Sequence, residues 1–449
     1  MDARRLPGPA RPPVERAGPR GPPRDRSGRG RAMTLSVLAV ADSDSYLKWA
    51  CATLDALRTA PETAGAHLTV MLLRTPIQPT VAQVAAATAA TGVATPATVG
   101  LRGLRRALNR TRPDAVLVAA TGPVAEVVAR VVRAAHPGAL LVSGLPGMAL
   151  PARPDGVGYR RWTDLLVVHS HAERDAYAAA FAAQGRAPEV VVSRLPFLAP
   201  RPTTSPEVTP GAVPEPAPGP GVRHVVFAPQ AKVPATRAQR VRVLDALARL
   251  ARPDRDVVVK LRARGGERQT HAEQHPYDAL WSAEHARLGH PRDALRFEDG
   301  PMARWLAPGS ALVTISSTAA LEAMAVGLPT AVVADFGVDD AMLNAVFRDS
   351  GCVVRLDDLA AALSRGGPVA DPAWLRANYL HPERDELPGA LHARTHAPRP
   401  TPARFEPWSR ARHVRTVLRF AVPPAALRPA AAARLAVGRR SAGVRRAAR

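Results

Sequence analysis

From Leu35 onward, short apolar runs alternate with longer segments whose apolar residues recur every three or four positions. The runs Leu35–Ala41, Leu68–Leu73, Ala115–Ala120, Leu140–Val142, Leu165–His169 and Val190–Val192 have the unbroken hydrophobicity of strands buried on both faces. Helices are predicted between them, over Tyr46–Leu57, Val81–Thr91, Gly103–Arg110, Val124–Ala135 and Ala172–Gln184. The pattern breaks at Pro200–Gly221, a Pro-rich polar stretch with the composition of a linker. It then restarts, with strands predicted at His224–Ala228, Asp256–Leu261, Leu295–Phe297, Ala311–Ile315 and Thr330–Ala334. The helices expected here run from Thr236 to Leu250, Tyr277–Leu288, Ala319–Val326, Asp340–Asp349 and Leu356–Ser364. Strands alternating with helices predict parallel sheets. The expected fold is therefore α/β, with two Rossmann-like doubly wound domains whose ligands lie at the carboxyl ends of the strands.

The expected organisation is a disordered Arg/Pro-rich extension over 1–32, a first Rossmann-like domain over 33–199 and a linker over 200–222. A second Rossmann-like domain over 223–386 and a basic Ala/Arg-rich tail over 387–449 complete it. Met33 stands immediately before the first strand and is the expected translation start.

Charge changes this picture once it is located. The formal net charge is +23, but residues 1–32 hold nine Arg against three acids and residues 387–449 fourteen Arg against one. The body between them is near +4, so the basic ends say little about its chemistry. Aromatics make up 4% of the chain, too few for base-stacking platforms, which argues against nucleic acid as the partner. The segments Val414–Val422 and Ala425–Val444 have the pattern of basic amphipathic helices, which can rest on an anionic membrane or simply stay solvated. No uncharged apolar run reaches the length of a membrane span. Cys51 and Cys352 lie in separate predicted domains amid apolar residues, as buried thiols of a reducing compartment would, which points to the cytoplasm.

Chemistry concentrates in the stretch ALVTISSTAALEAMAVGLPTAVVA, Ala311–Ala334. A strand enters the polar turn Ser316, Ser317 and Thr318, and the helix that follows is closed by Gly327 and Pro329. Such a turn either caps a core helix or presents backbone N–H groups and hydroxyls to an anion, most naturally a phosphate. Glu322, one turn into an otherwise apolar helix, is either exposed or placed to meet sugar hydroxyls beside that phosphate. Lysine is informative because there are three: Lys48, Lys232 and Lys260. Lys260 ends the strand DVVVK and is followed by Arg262, His271 and His275; with Lys232 these could converge on a diphosphate or form a solvated basic loop. His271 and His275 have i, i+4 spacing, but no third ligand stands at a telling distance, so a phosphate-facing role is favoured over zinc and no metal is expected.

In the first half, Asp42, Ser43, Asp44 and Ser45 close the first strand. Either Asp42 or Asp44 could act as a base toward a hydroxyl, or the group could cap the next helix. Thr121, Gly122, Ser143, Gly144 and His169 end strands on the same predicted edge and could line a cleft. There is no GxSxG elbow, GxGxxG or Walker loop, which removes hydrolase and P-loop readings.

Two α/β halves with a Pro-rich bridge, an anion turn and a helix Glu in the second half resemble the GT-B glycosyltransferases. The segments VLAVADSDSYLKWA, GLRGLRRAL, PDAVLVAATGPV, VSGLPGMALPA, YRRWTDLLVVHS, KLRARGGERQTHAEQHPY and SSTAALEAMAVGLP are similar to a group of actinobacterial proteins assigned to that class, known chiefly as a domain of unknown function. The resemblance spans Met33 to about Pro382 and implies a nucleotide-sugar donor in the second half, an acceptor in the first and no metal. A more distant similarity, to capsule, sialic-acid and teichoic-acid polymer transferases, implies that His275 and Ser316–Thr318 contact donor phosphates. This chain departs from that pattern, because Glu298-Asp299-Gly300 follows the His-Pro pair instead of preceding it, so the identity of the base is left open.

The expected activity is transfer of a sugar or related group from a nucleotide-activated donor to a hydroxyl acceptor, in cell-surface glycan synthesis. Lys232, Lys260, Arg262, His271, His275 and Ser316–Thr318 would neutralise the departing nucleotide, and Glu322 would hold its ribose. An epimerase of the same architecture and a non-enzymatic nucleotide- or nucleic-acid-binding protein are the alternatives.

Overall fold

The structure is a computed structural model; it describes residues 34–89, 91–195, 198, 221–261, 273–300, 302–397 and 409–421. Within Leu35–Arg449, which forms one unit, the strands assemble into two sheets. The first contains β1 (Ser36–Ala41), β2 (His67–Leu73), β3 (Ala97–Val99), β4 (Ala115–Ala119), β5 (Leu140–Gly144), β6 (Leu165–Val168) and β7 (Glu189–Val192). The second contains β8 (His224–Ala228), β9 (Asp256–Lys260), β10 (Arg296–Glu298), β11 (Ser310–Thr314), β12 (Thr330–Val333) and β13 (Val353–Val354). The strand orders are β3-β2-β1-β4-β5-β6-β7 and β10-β9-β8-β11-β12-β13, and every pairing is parallel. Both sheets are thus doubly wound, as the alternation predicts, and the strand order reverses at β1/β4 in one and β8/β11 in the other.

Period-2 alternation divides each sheet between two cores. Val37, Ala39 and Ala41 of β1 face Trp49, Leu54 and Leu57 on one side, while Leu38 and Val40 meet Leu104, Val124 and Val128 on the other. In the second sheet Val225 and Phe227 pack with Leu244, Tyr277 and Trp281, and Val226 and Ala228 with Ala320, Leu321 and Phe347. Both cysteines are free and fully buried; burial pushes the Cys51 thiol up to about 11 and the Cys352 thiol up to about 12.

Several expectations are corrected. The helix predicted over Asp340–Asp349 is a loop with one short 3-10 turn, Ala345–Phe347. Asp339 accepts the N–H groups of Ala341 and Met342 at 2.9 Å, and Leu343 takes a left-handed φ of 58°, which no α-helix tolerates. Val222, read as linker, is buried in the second core. Strands β3 and β13 and the helix Pro154–Arg160 carry too few apolar residues to show in the pattern.

The largest correction concerns the tail. Leu387–His396 is a helix that packs on the first sheet, with Leu387 and Leu391 buried beside Leu57 and Val37. The chain therefore crosses between the sheets twice, and the crossings lie side by side. Glu386 N–H donates to the Val192 carbonyl at 3.0 Å, and the N–H groups of Val192 and Arg194 donate to the carboxylates of Glu386 and Asp385 at 2.8 and 2.7 Å. Ionic contacts from Arg174 to Glu386 and from Arg394 to Glu189 flank this seam. Farther on, Arg410–Ala421 is a helix whose Arg412 donates to Glu126; Ala425–Val444 lies outside the described residues. No described helix is long and apolar enough to cross a membrane.

Truncating Leu391 to Ala should cost about 2–5 kcal/mol, the range for emptying a buried leucine site. Urea unfolding would measure it, and an unchanged midpoint would mean that the returning helix is not part of the core.

Candidate functional site

The carboxyl end of the second sheet gathers most of the expected donor-side residues. Thr314 Oγ1 donates to the Ala228 carbonyl at 2.7 Å and accepts the Ser317 N–H at 3.1 Å, so the end of β11 is stitched both to β8 and to its own turn. Ser317 Oγ in turn accepts the Ala319 N–H at 3.2 Å. Ser316 is buried and its hydroxyl donates to the carbonyl of Leu343, the left-handed residue. Two of the three hydroxyls expected to face an anion are thus engaged within the protein, while Thr318 makes no capping bond. The helix after the turn, Ala319–Ala325, spans seven residues, so its dipole is short. Glu322 is half-buried in it.

The loop after β8 joins this turn through Gln230, whose side-chain amide donates to the Ser316 carbonyl at 3.1 Å. What holds that loop is a residue the sequence reading missed. Arg240 is buried, and its guanidinium donates to the carbonyls of Pro234 at 2.9 Å, Ala231 at 2.8 Å and His275 at 2.8 Å, and to the carboxylate of Glu273. It also lies over the Tyr277 ring at 4.9 Å. One cation therefore ties the Lys232 loop to the His275 segment. The signal was an Arg inside the buried stripe Val241, Val243, Leu244 and Leu247 of RAQRVRVL, a place where a charge persists only when paired. Lys232 is exposed in the loop so fixed, and His275 is half-buried. Lys260 is buried at the end of β9, where its ammonium donates to the Leu261 carbonyl at 2.7 Å. Arg262 and His271 lie outside the described residues.

In the first sheet the expected acceptor residues separate. Asp42 is fully buried, and its Oδ2 accepts both the N–H and the hydroxyl of Thr121, tying β1 to β4 where the order reverses. That is a structural task. Asp44 is three-quarters covered, pairs with Lys48 at 2.8 Å and opens helix Asp44–Thr59 next to the half-buried Ser45. Ser143 donates to the Val118 carbonyl at 3.0 Å, and Gly144 is seated so closely that a Cβ would lie 2.6 Å from Trp49 and 2.9 Å from the Val167 oxygen. Gly122 is pressed by Tyr159 in the same way. His169 is buried, its ring nitrogens each 2.8 Å from a carbonyl, those of Ser193 and Leu145. Ser143, Gly144 and His169, expected to line a cleft, are therefore interior parts.

The residue that does face the second sheet is Gly147, in the loop after β5. A Cβ on it would come within 2.8 Å of Thr318 Cγ2, and Arg153 reaches the Asp340 carbonyl at 3.3 Å. The carboxyl ends of the two sheets thus meet across a narrow gap, with the Ser316–Thr318 turn on one side and the post-β5 loop on the other. Among the described residues no group of three or more His, Cys, Asp or Glu could hold a metal ion.

Two doubly wound sheets of this order, facing each other at their carboxyl edges and joined by a returning helix, define a GT-B-like architecture. Residues 37–394 match the model of the family described as "Putative glycosyltransferase (DUF6716)", and the chain belongs to that family. Among solved structures, a "putative UDP-N-acetylglucosamine 2-epimerase" from Listeria monocytogenes is 12% identical, with a TM-score of 0.50, covering 80% of this chain and 94% of its own. UDP-GlcNAc 2-epimerase from Methanocaldococcus jannaschii, in complex with UDP-GlcNAc and UDP, is 9% identical over 76% of this chain and 97% of that one, with a TM-score of 0.48. The glycosyltransferase SnogD from Streptomyces nogalater is 17% identical over 80% and 99%, with a TM-score of 0.41. At 12% identity the likeness to the Listeria protein is one of fold. No curated protein matches the sequence.

Near the crossings, buried His381 lies 3.1 Å from Glu383, with His171, Arg194 and Asp385 around it. Burial, aided by His171 and Arg194 and opposed by Glu383 and Asp385, lowers its pKa below the ordinary 6.5. A depressed folded pKa means that the unfolded chain binds the proton first, so this contribution to stability is full above about 6.5 and is lost as pH falls through the lower folded value. The urea midpoint should therefore drop between pH 7 and pH 5, and His381→Gln should flatten the drop; equal slopes in both proteins would refute it.

Proposed function

We propose that the protein transfers a sugar or related group from a nucleotide-activated donor to a hydroxyl acceptor. The observation that carries this reading is the convergence at the second switch point of the Lys232 loop, the His275 segment and the Ser316–Thr318 turn. Arg240 and Gln230 tie them together, opposite the Gly147 loop of the other sheet. The largest catalytic need in such a transfer is to stabilise charge on the departing phosphate, and preorganised cations and donors meet it without reorganisation. In this reading Lys232, His275 and Thr318 meet the departing phosphate, Lys260 adds positive charge from the end of β9, and Glu322 is assigned to the sugar hydroxyls. Arg262 and His271 belong to the same proposal on sequence grounds. In the acceptor half, Asp44 is the better candidate base, because the Asp42 carboxylate is committed to Thr121. The proposed donor needs no metal, and the proposed setting is the cytoplasm, where the basic helix Arg410–Ala421 would favour an anionic membrane surface.

The test is a thermal-shift screen of CMP, CDP, UDP and GDP with the full-length protein. One nucleoside diphosphate should raise Tm, and Ser317→Trp or Lys232→Glu should each weaken that binding about 10- to 100-fold, the loss of a charge-assisted contact. A shift that survives both substitutions would place the nucleotide elsewhere. Asp44→Asn should leave the shift intact and lower kcat by about 10²–10⁴. Consumption of a nucleotide sugar with no acceptor present would instead favour an epimerase, an activity named for the Listeria protein that shares this fold.

A further inference from the structure

A carboxylate removed from water must have its charge answered by donors. Glu173, in the first turn of helix His171–Ala182, is fully buried, and three donors converge on it. The Ala149 N–H and the Tyr379 hydroxyl donate to Oε1 at 2.8 and 2.7 Å, and the His169 N–H donates to Oε2 at 2.8 Å. These donors come from three places that matter separately. Ala149 lies in the loop after β5, His169 follows β6, and Tyr379 belongs to the core of the second sheet, just before the chain crosses back.

The loop Leu145–Ala149 is held at both ends by this group. At one end Ala149 gives its N–H to Glu173 and receives the Tyr177 hydroxyl on its carbonyl at 3.0 Å. At the other, the Leu145 carbonyl meets His169, whose second ring nitrogen rests on Ser193, at the first crossing. Between the two anchors, Gly147 abuts Thr318 and Met148 packs against the second core. The crossings and the loop that faces the donor turn thus share one set of hydrogen bonds.

We propose that Glu173 is a positioning residue: with Tyr379 and His169 it couples both chain crossings to the loop Leu145–Ala149 and so fixes how closely that loop is held against the Ser316–Thr318 turn. Its catalytic consequence rests on the transfer reading above; the coupling itself does not. Tyr379→Phe keeps the ring and removes one donor, so the fold should survive. In hydrogen–deuterium exchange on the full-length protein, amides of Leu145–Ala149 should open on the order of tenfold faster, the cost of one charge-assisted bond, while β1, β4, β8 and β11 exchange as before. Glu173→Gln, which offers an amide N–H where a donor already points, should give the same local pattern more strongly. Unchanged exchange in the loop, or faster exchange spread over both sheets, would overturn the proposal and leave Glu173 an ordinary core carboxylate. In an active enzyme, loosening of the loop should raise the donor KM more than it lowers kcat; local loosening with both constants unchanged would overturn that catalytic consequence. If the loop loosens as expected but no nucleotide sugar is ever turned over, the coupling stands and the transfer reading falls.

Discussion

Every strand of both sheets runs parallel to its neighbours, and that constraint decides where chemistry can sit. A parallel sheet sends all its carboxyl ends to one edge, and each connection must travel back across a face before the next strand begins. Strand-end loops therefore pile up along one rim of each sheet, and the gap between strands whose connections leave in opposite directions becomes a crevice. Here one crevice is closed by a side chain, since Asp42 bridges to Thr121 across β1 and β4. The other is spanned at its base, where Thr314 and Gln230 join the ends of β8 and β11. The two switch points are thus closed differently, although the six strands of the second sheet follow the same order as the first six of the other.

Buried polar groups do the arranging. Arg240 collects carbonyls from two loops, Glu173 collects donors from three segments, and buried Arg160 donates to the Tyr46 hydroxyl at 2.7 Å and the Ala120 carbonyl at 2.9 Å, behind the first crevice. None of these is a strong stabiliser by itself, because desolvation offsets much of what the contacts return. Their value is geometric: each has several partners at fixed angles, so removing one loosens the loops it holds.

The architecture was legible because buried parallel strands leave an unmistakable trace: LSVLAVA and DVVVK could hardly be anything else once helices of 3.6-residue period separate them. The Ser316–Thr318 turn was legible too, since hydroxyls, an apolar helix and a closing Gly have fixed order. What composition could not reveal was which polar residues point inward. Asp42, Ser143 and His169 stand at strand ends exactly as cleft residues would, yet each is consumed by a carbonyl or a neighbouring turn from a distant part of the chain. Conversely nothing in the pattern marks Arg240 or Glu173 as buried hubs, because their partners come from distant segments that only the tertiary fold brings together. The tail misled for a similar reason: Leu387 and Leu391 are two apolar residues in a basic region, and their burial depends on a surface laid down hundreds of residues earlier.

That returning helix carries a consequence for how the molecule is made. The first sheet's strands are all present once Val192 has been synthesised, but its core is complete only when Leu391 arrives, roughly two hundred residues later. At about 5–20 residues per second, the nascent first half waits on the order of 10–40 s with an open apolar flank. A flank left open in this way exposes apolar surface of the kind that makes incompletely folded chains prone to associate.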